Sequence, residues 1–259
     1  MSKIRIATAQ SNICRDVQQN GDEICNLLTQ ASDCGAGLIH FPEGALSGYI
    51  QTQINHWDDV DWKELDIQLQ KIAKAAQEKN IWVVVGSNYP TSAGLPHNSL
   101  FVISKSGTIV HRYDKRICSH TEMSGWYTPG TSPCMFDIQG FKFGLVLCIE
   151  IHFTEIFQEY ERNGIDCILF SSYSKDPMFW TQAQGYAAGN NTWFSVSTPA
   201  MCSKELPGGV IGPDGSLLVR HTPSHHSDIV ITDLDKSDPQ FATALTKAKP
   251  WRKKIRSNL

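Results

Sequence analysis

The sequence predicts an α/β protein built around mixed β-sheet. Short apolar runs rich in β-branched residues recur along the 259 residues, and stretches with helical spacing of apolar residues separate several of them. A strand, helix, strand order favours parallel pairing through right-handed crossovers. One pair of runs, 99–104 and 108–113, is joined instead by Ser106-Gly107, which is typical of an antiparallel hairpin. Both kinds of pairing are therefore expected.

Each element is predicted from its own pattern. The run Ile81-Trp82-Val83-Val84-Val85 is continuously apolar, so that strand must be covered on both faces. The strands are predicted at about 4–9, 37–42, 81–87, 99–104, 108–113, 142–148, 165–171, 193–198, 216–220 and 228–233. The helices are predicted at about 16–34, 62–79, 154–163 and 178–189.

Composition narrows the functional classes. The net charge is −3 and the hydrophobic and charged fractions are 41% and 19%, which is typical of a globular enzyme and predicts no nucleic-acid partner. The chain is long enough for one large α/β domain. Because no linker or repeat interrupts it, we expect a single domain over residues 1–259, with a C-terminal arm at about 240–259.

The cellular location is predicted from the first residues of the sequence and from the length of its apolar runs. Met1-Ser2-Lys3 leads directly into the first predicted strand, which leaves no space for a signal peptide. No run approaches the roughly 18 apolar residues of a membrane span. We therefore expect a cytoplasmic protein without a membrane partner, whose eight cysteines are reduced. They are Cys14, Cys25, Cys34, Cys118, Cys134, Cys148, Cys167 and Cys202.

Three ionisable residues stand at predicted strand ends. Glu43 follows Phe41-Pro42, Lys115 follows Tyr113-Asp114, and Cys148 ends an apolar run before Ile149-Glu150. Singly, each has an ordinary interpretation: a turn carboxylate, a surface charge and a small core residue. Together, a carboxylate, an amine and a thiol can serve as base, oxyanion stabiliser and nucleophile.

The order and flanks of these motifs resemble the Glu-Lys-Cys signature of the nitrilase superfamily, the carbon-nitrogen hydrolases. The resemblance begins at the opening strand, 4–10, and continues through Ala187-Ala188-Gly189-Asn190-Asn191 and Pro213-Asp214-Gly215 to the strand near 229–235. It implies a four-layer α-β-β-α sandwich, a role in catalysis for Glu43, Lys115 and Cys148, no cofactor or metal, and a homodimer or higher homo-oligomer. The C-terminal arm, with Trp251, would reach a neighbouring subunit.

The resemblance also suggests roles for residues beside the three motifs. Glu122, seven positions after Lys115, matches a second glutamate that holds the lysine and orients the substrate amine; a loop carboxylate is the alternative. Residues that follow motif-bearing segments are candidates for the substrate pocket, although aromatic residues are more often packing residues. These candidates are Tyr49, Trp126, Ile149 and Tyr173.

Some positions depart from the family pattern. His152 stands where an arginine is usual, and Gly189 where an acidic residue is common. We interpret His152 as a packed, hydrogen-bonded substitute. The reaction type can still be predicted despite these changes, whereas the identity of the substrate cannot.

The predicted function is thiol-dependent hydrolysis of a small amide through an acyl-thioester, in which Cys148 is expected to be exposed and activated. N-carbamoyl amino acids and nitriles are alternative substrates. Ile149 favours amides, because family nitrilases commonly have tryptophan after the nucleophile. A catalytically silent scaffold and a metal-dependent hydrolase remain alternatives, the latter only because the chain has nine histidines and eight cysteines.

Overall fold

The computed structural model describes residues 3–92 and 94–256. One six-stranded sheet has the order β12-β1-β2-β3-β4-β5. Strands β1, β2 and β3 pair in parallel, whereas β3, β4 and β5 form an antiparallel meander and β12 runs antiparallel to β1. The strands are β1 (Lys3–Gln10), β2 (Leu38–His40), β3 (Trp82–Tyr89), β4 (His97–Ile103), β5 (Ile109–Asp114) and β12 (Asp228–Asp235).

The second six-stranded sheet has the order β11-β10-β9-β8-β7-β6. Its centre, β7, β8 and β9, is parallel, and its outer pairs are antiparallel. The strands are β6 (Met135–Ile138), β7 (Phe141–Leu147), β8 (Cys167–Ser171), β9 (Trp193–Ser197), β10 (Gly209–Ile211) and β11 (Leu217–Arg220).

Two long helices begin with the same side-chain cap. Asp16 accepts hydrogen bonds from the backbone N–H groups at the start of α1, and Asp61 does so at the start of α2, which satisfies donors that have no partner within the helix. The helices are α1 (Val17–Asp33), α2 (Trp62–Glu78), α3 (His120–Met123), α4 (Thr154–Arg162), α5 (Met178–Asn190) and α6 (Lys249–Arg256). Within the described ranges, no helix is both long and apolar enough to cross a membrane.

Three apolar clusters define the layers. Residues of α1 and α2, including Leu28 and Ile72, pack on the outer face of the first sheet. Phe157 of α4 and Ala183 of α5 pack on the outer face of the second. The inner faces of the two sheets pack on each other in the third cluster, which contains Trp193. The four-layer α-β-β-α sandwich is therefore confirmed.

Most predicted elements are present, including the hairpin of β4 and β5. The prediction missed the short strands β6 and β10 and the helices α3 and α6. It also extended one strand to Cys148, whereas β7 ends at Leu147 and a 3-10 turn, Cys148–His152, follows. The four missed elements are only three to eight residues long and carry little periodicity. The two short strands also depend on pairing with neighbouring strands.

Candidate active site

The topology brings the predicted motifs to one end of the sandwich. β5 runs parallel to β3, because each pairs antiparallel with β4. Glu43, shortly after β2, and Lys115, directly after β5, therefore lie at the same edge of the first sheet. Cys148 follows β7 in the facing sheet. Ligand sites in open α/β sheets form in this position, outside the carboxyl ends of the strands.

Lys115 lies between two carboxylates. Its Nζ donates hydrogen bonds to Oε1 of Glu43 at 2.9 Å and to Oε1 of Glu122 at 2.8 Å. All three side chains are buried, with at most 1% exposed. An ammonium group has three N–H donors, and these two bonds use two of them. Within the described residues the third donor has no partner, so it is left for a group that enters the site.

Other side chains fix the two carboxylates. Asn98 Nδ2 donates to Oε1 of Glu43 at 2.7 Å and to Oε1 of Glu122 at 3.2 Å. The hydroxyl of Tyr49 donates to Oε1 of Glu122 at 3.0 Å, and the backbone N–H of Ser119 donates to its Oε2 at 2.6 Å. Ser119 also caps α3 in a capping box with Glu122. Glu122 is therefore buried and hydrogen-bonded on several sides. A loop carboxylate that faces solvent would have neither property.

The two carboxylates differ in proton affinity. Burial raises the pKa of Glu43, and the charge of Glu122 adds to that effect. Burial also acts to raise the pKa of Glu122, but the charge and hydrogen bond of Lys115 outweigh it, so this pKa is lowered. The pKa of Lys115 is raised well above its usual value, because both carboxylates outweigh its burial. Lys115 and Glu122 thus form the permanent ion pair, and Glu43 is the group suited to exchange a proton.

Cys148 lies on a strained backbone directly after β7. Its φ is +48°, a left-handed conformation that is unfavourable for a residue with a side chain. The residue is buried, with 8% exposed. Burial and the charge of Glu43 raise the pKa of its thiol to about 12, and Lys115 opposes them. The expectation of an exposed, pre-activated thiol is therefore wrong; the resting sulfur is protonated and needs a base.

Glu150 links the Lys115 segment to the Cys148 turn. Its carboxylate accepts from the hydroxyl of Tyr113 and from the backbone N–H groups of Arg116, Ile117 and Leu147 at 2.7–3.1 Å. Burial raises its pKa, and these bonds oppose that effect. The sequence pattern identifies Glu150 only as a residue flanking Cys148, and it gives no indication of the role of Asn98.

The segment after β8 closes the site on the side of Glu43. The backbone N–H of Tyr173 donates to Oε2 of Glu43 at 2.8 Å. Ser172 is buried, and its hydroxyl lies close enough to the Cys148 thiol to lower the pKa of that thiol.

The structure brings three of the four predicted pocket residues to this site. The rings of Tyr49 and Tyr173 stack with centroids 4.8 Å apart, and Ile149 is partly buried directly after Cys148. Trp126 packs instead edge-on against Trp57, with centroids 5.6 Å apart. Its backbone carbonyl accepts from the Trp57 indole at 3.0 Å. Trp126 thus supports the loop after Glu122.

The two departures, His152 and Gly189, lie outside the cluster formed by Glu43, Lys115 and Glu122. His152 is exposed, shares a hydrogen bond of 2.8 Å with Gln182 and contacts Phe179 edge-on. Gly189 is exposed on α5. In residues 3–92 and 94–256, no group of three or more His, Cys, Asp and Glu side chains is arranged to hold a metal ion.

Known proteins resemble both the sequence and the fold. A family model described as carbon-nitrogen hydrolase matches residues 5–242. The omega-amidase NIT2 of Bos taurus is 25% identical over 252 residues, which cover 91% of this chain and 90% of that protein. Two structures of an amidase from Nesterenkonia sp. AN1 have TM-scores of 0.81 and 0.80 at 19% and 21% identity. They cover 97% and 96% of this chain, and 97% and 95% of theirs, and they show that the fold is shared.

Proposed function

Because this chain belongs to the carbon-nitrogen hydrolase family, we propose that it hydrolyses a small amide through an acyl-thioester on Cys148. The observation that carries the proposal is the position of Lys115, whose Nζ lies 2.9 Å from Glu43 and 2.8 Å from Glu122. The pKa of Glu43 is raised, whereas that of Glu122 is lowered. This arrangement supplies a base, a fixed positive charge and a nearby thiol within one buried cluster. Glu43, Lys115, Glu122 and Cys148 are the residues that we assign to the reaction.

In the first half-reaction, the sulfur of Cys148 attacks the amide carbon while Glu43 takes the thiol proton. The carbonyl oxygen becomes an oxyanion, which the free donor of Lys115 and the backbone N–H of Ile149 stabilise. That N–H lies in the first turn of a 3-10 helix, where backbone donors have no partner within the helix. The C–N bond then breaks, Glu43 returns its proton to the nitrogen, and ammonia leaves.

In the second half-reaction, water replaces ammonia. Glu43 removes a proton from the water, whose oxygen attacks the thioester carbon. The same donors stabilise the second oxyanion, the C–S bond breaks, and the sulfur takes back the proton from Glu43. The products are a carboxylic acid and the original thiol. Glu122 stays ionised throughout and keeps Lys115 charged and in place.

Similar proteins support the choice of an amide. The omega-amidases are named for amide hydrolysis. One structure of the Nesterenkonia amidase contains acrylamide, and another shows covalent addition of the acetamide moiety of fluoroacetamide at its active site cysteine. Small primary amides, including ω-amides, are therefore the substrates that we propose for this chain. Tyr49, Tyr173 and Ile149 are the proposed pocket walls.

An ammonia-release panel tests the function. Purified protein is incubated with small aliphatic amides, ω-amides, N-carbamoyl amino acids and nitriles, and ammonia and acid are measured. Amides should be cleaved fastest, and Cys148→Ala should abolish turnover while circular dichroism stays unchanged. Faster nitrile or carbamoyl turnover would reassign the substrate. Loss of activity on adding a chelator would favour a metal-dependent hydrolase, and no turnover of any substrate would favour a scaffold.

Assembly and location are further proposals. We infer a cytoplasmic homo-oligomer of single-domain subunits over residues 1–259, without a nucleic-acid or membrane partner. The C-terminal arm binds its own chain in part: Lys249 and Arg252 contact Asp166 and Glu161. Trp251 is 60% exposed and is the proposed contact to a second subunit. Light scattering of wild-type protein and Trp251→Ala measures this directly.

A further inference from the structure

Behind Glu43, polar side chains connect the two sheets through the apolar inner layer. His40, the last residue of β2, is fully buried. Its Nδ1 lies 2.8 Å from the Oγ of Ser195, and its Nε2 lies 2.8 Å from the Oγ of Ser171. The hydroxyl of Thr8, on β1, lies 2.7 Å from the same Ser195 oxygen. The proposed mechanism uses none of these residues.

The direction of each bond in this row follows from the hydrogen bonds together with the charge state of His40. Ser171 donates its only hydroxyl proton to the backbone carbonyl of Phe41 at 2.8 Å, since a carbonyl can only accept. Ser171 must therefore accept from Nε2 of His40. Burial lowers the pKa of His40 to about 3, so the ring is neutral and Nδ1 is an acceptor. Ser195 consequently donates to Nδ1 and accepts from the hydroxyl of Thr8.

The row ends at the backbone that carries Glu43. Phe41 lies beyond the end of β2 at His40, and its carbonyl binds Ser171 in the facing sheet. Two residues after Ser171, the N–H of Tyr173 binds the Glu43 carboxylate at 2.8 Å. One short segment therefore holds the Glu43 turn at two points, by its backbone and by its carboxylate. The bond from Ser171 to the Phe41 carbonyl depends on His40. Because Nε2 of His40 donates to Ser171, it cannot accept the Ser171 proton, which is therefore donated to Phe41.

From this geometry we propose that His40 is a positioning residue for Glu43. It acts through Ser171 on the Phe41 carbonyl, and it touches neither the substrate nor the reacting atoms. The inference rests on the proposed function, in which Glu43 is the base. A polar residue buried between two sheets costs free energy unless its bonds are all made, and here both ring nitrogens are bonded.

Four variants separate positioning from general packing. His40→Leu removes the donor to Ser171, and Ser171→Ala removes the bond to Phe41. His40→Gln retains an N–H donor and an oxygen acceptor and is the conservative rescue. Thr8→Val is the matched control, since it removes one hydroxyl from the same buried row but leaves the His40 to Ser171 to Phe41 bonds intact.

We expect His40→Leu and Ser171→Ala to lower kcat about tenfold to a hundredfold with little change in KM, because a displaced base loses its alignment. The acidic limb of the kcat/KM profile should move to lower pH as water reaches Glu43, which Lys115 and Glu122 continue to face. His40→Gln should recover most of the rate, and Thr8→Val should stay within about twofold of wild type. Equal losses in Thr8→Val and His40→Leu, or a normal profile in folded His40→Leu, would overturn the proposal.

A spectroscopic measurement makes the test independent of turnover. Long-range proton-nitrogen NMR of the histidine rings should show His40 as the neutral Nε2–H tautomer at neutral pH. The Nδ1–H tautomer or a protonated ring would contradict the inferred direction of the row. If wild-type protein cleaves no amide, the proposed function fails. If wild-type protein cleaves amides and the His40 variants have the same kinetics, the positioning role fails but the proposed function stands.

Discussion

The carboxylate of Glu150 binds the hydroxyl of Tyr113 through both oxygens, each at 2.8 Å. Tyr113 lies on β5, two residues before Lys115, whereas Glu150 lies two residues after Cys148. The pair therefore couples the strand end that carries the ammonium group to the turn that carries the thiol. Both side chains are fully or almost fully buried, so the coupling is not weakened by solvent.

The first prediction concerns Glu150→Gln. The amide nitrogen of glutamine cannot accept, so it would face at least one of the backbone N–H donors of Arg116, Ile117 and Leu147. An unsatisfied buried donor costs about 1–3 kcal/mol. We expect the free energy of unfolding, measured with a chemical denaturant, to fall by that amount. We also expect kcat to fall roughly tenfold, because Lys115 and Cys148 lose their common support.

Glu155→Gln provides the control for this change. Glu155 is exposed in the first turn of α4, so the same substitution should change stability by less than about 0.5 kcal/mol and leave kcat unaltered. Comparable behaviour of the two variants would show that Glu150 does not organise the site.

The position of the proposed catalytic cluster could be predicted from the sequence better than its electrostatics. Strand ends could be read from apolar runs, which located Glu43, Lys115 and Cys148 at one edge of the fold. Burial of Cys148 could not be predicted, because it depends on residues distant in the sequence, such as Phe170 and Phe179, which belong to the same buried cluster. For the same reason the role of Asn98 was missed: its two carboxylate partners are 55 and 24 residues away. Local patterns do not report contacts at such distances.

The second prediction distinguishes the two carboxylates that contact Lys115. Glu43→Gln removes the proton acceptor and should reduce kcat by about 10² to 10⁴ at every pH. Glu122→Gln leaves the base in place but removes a negative charge that raises the pKa values of Glu43 and Lys115. The rate should therefore fall, and the acidic limb of the pH profile should move to lower pH. Lys115→Met should reduce kcat by about 10² to 10³. Steady-state kinetics across pH, with melting curves of each variant, provide the measurement.

Non-additivity is the internal check on that assignment. In the proposed mechanism Glu43 and Lys115 act on one transition state, so the double variant should have a kcat little lower than that of the more damaged single variant. Fully additive losses would mean that the two residues act in separate steps.

The third prediction concerns Gly86, which lies against the Glu43 turn. A Cβ at this position would lie 2.3 Å from the Pro42 carbonyl oxygen and 3.0 Å from the Glu43 Cα. These are backbone atoms, which cannot move aside cheaply. Gly86→Ala should therefore cost about 1–3 kcal/mol and lower kcat by displacing the base. On α5, a Cβ on Gly185 meets no described atom within 4 Å, so Gly185→Ala should leave kcat unchanged and stabilise the helix by roughly 0.5–1 kcal/mol.

The fourth prediction concerns acid stability. Folding lowers the pKa of His40 from 6.5 to about 3. Between these values the unfolded chain binds a proton that the folded protein does not, so stability falls as pH decreases below about 6.5. From pH 7 to pH 5, wild type should lose about 2 kcal/mol more than His40→Gln, at roughly 1.4 kcal/mol per pH unit below the unfolded pKa. Equal losses in parallel urea titrations would mean that His40 is protonated in the folded protein.

The last prediction concerns thiol reactivity. Cys148 is buried with its pKa raised to about 12, whereas Cys34 is exposed. Because alkylation requires access and a thiolate, N-ethylmaleimide at neutral pH should label Cys34 before Cys148, as mapped by peptide mass spectrometry over time. A saturating amide substrate should slow labelling of Cys148 and leave Cys34 unaffected, and Cys148→Ala should label at Cys34 with wild-type kinetics. Labelling of Cys148 ahead of Cys34 would show that the sulfur is ionised and accessible at rest, and Glu43 would then be unnecessary as the base in the first half-reaction.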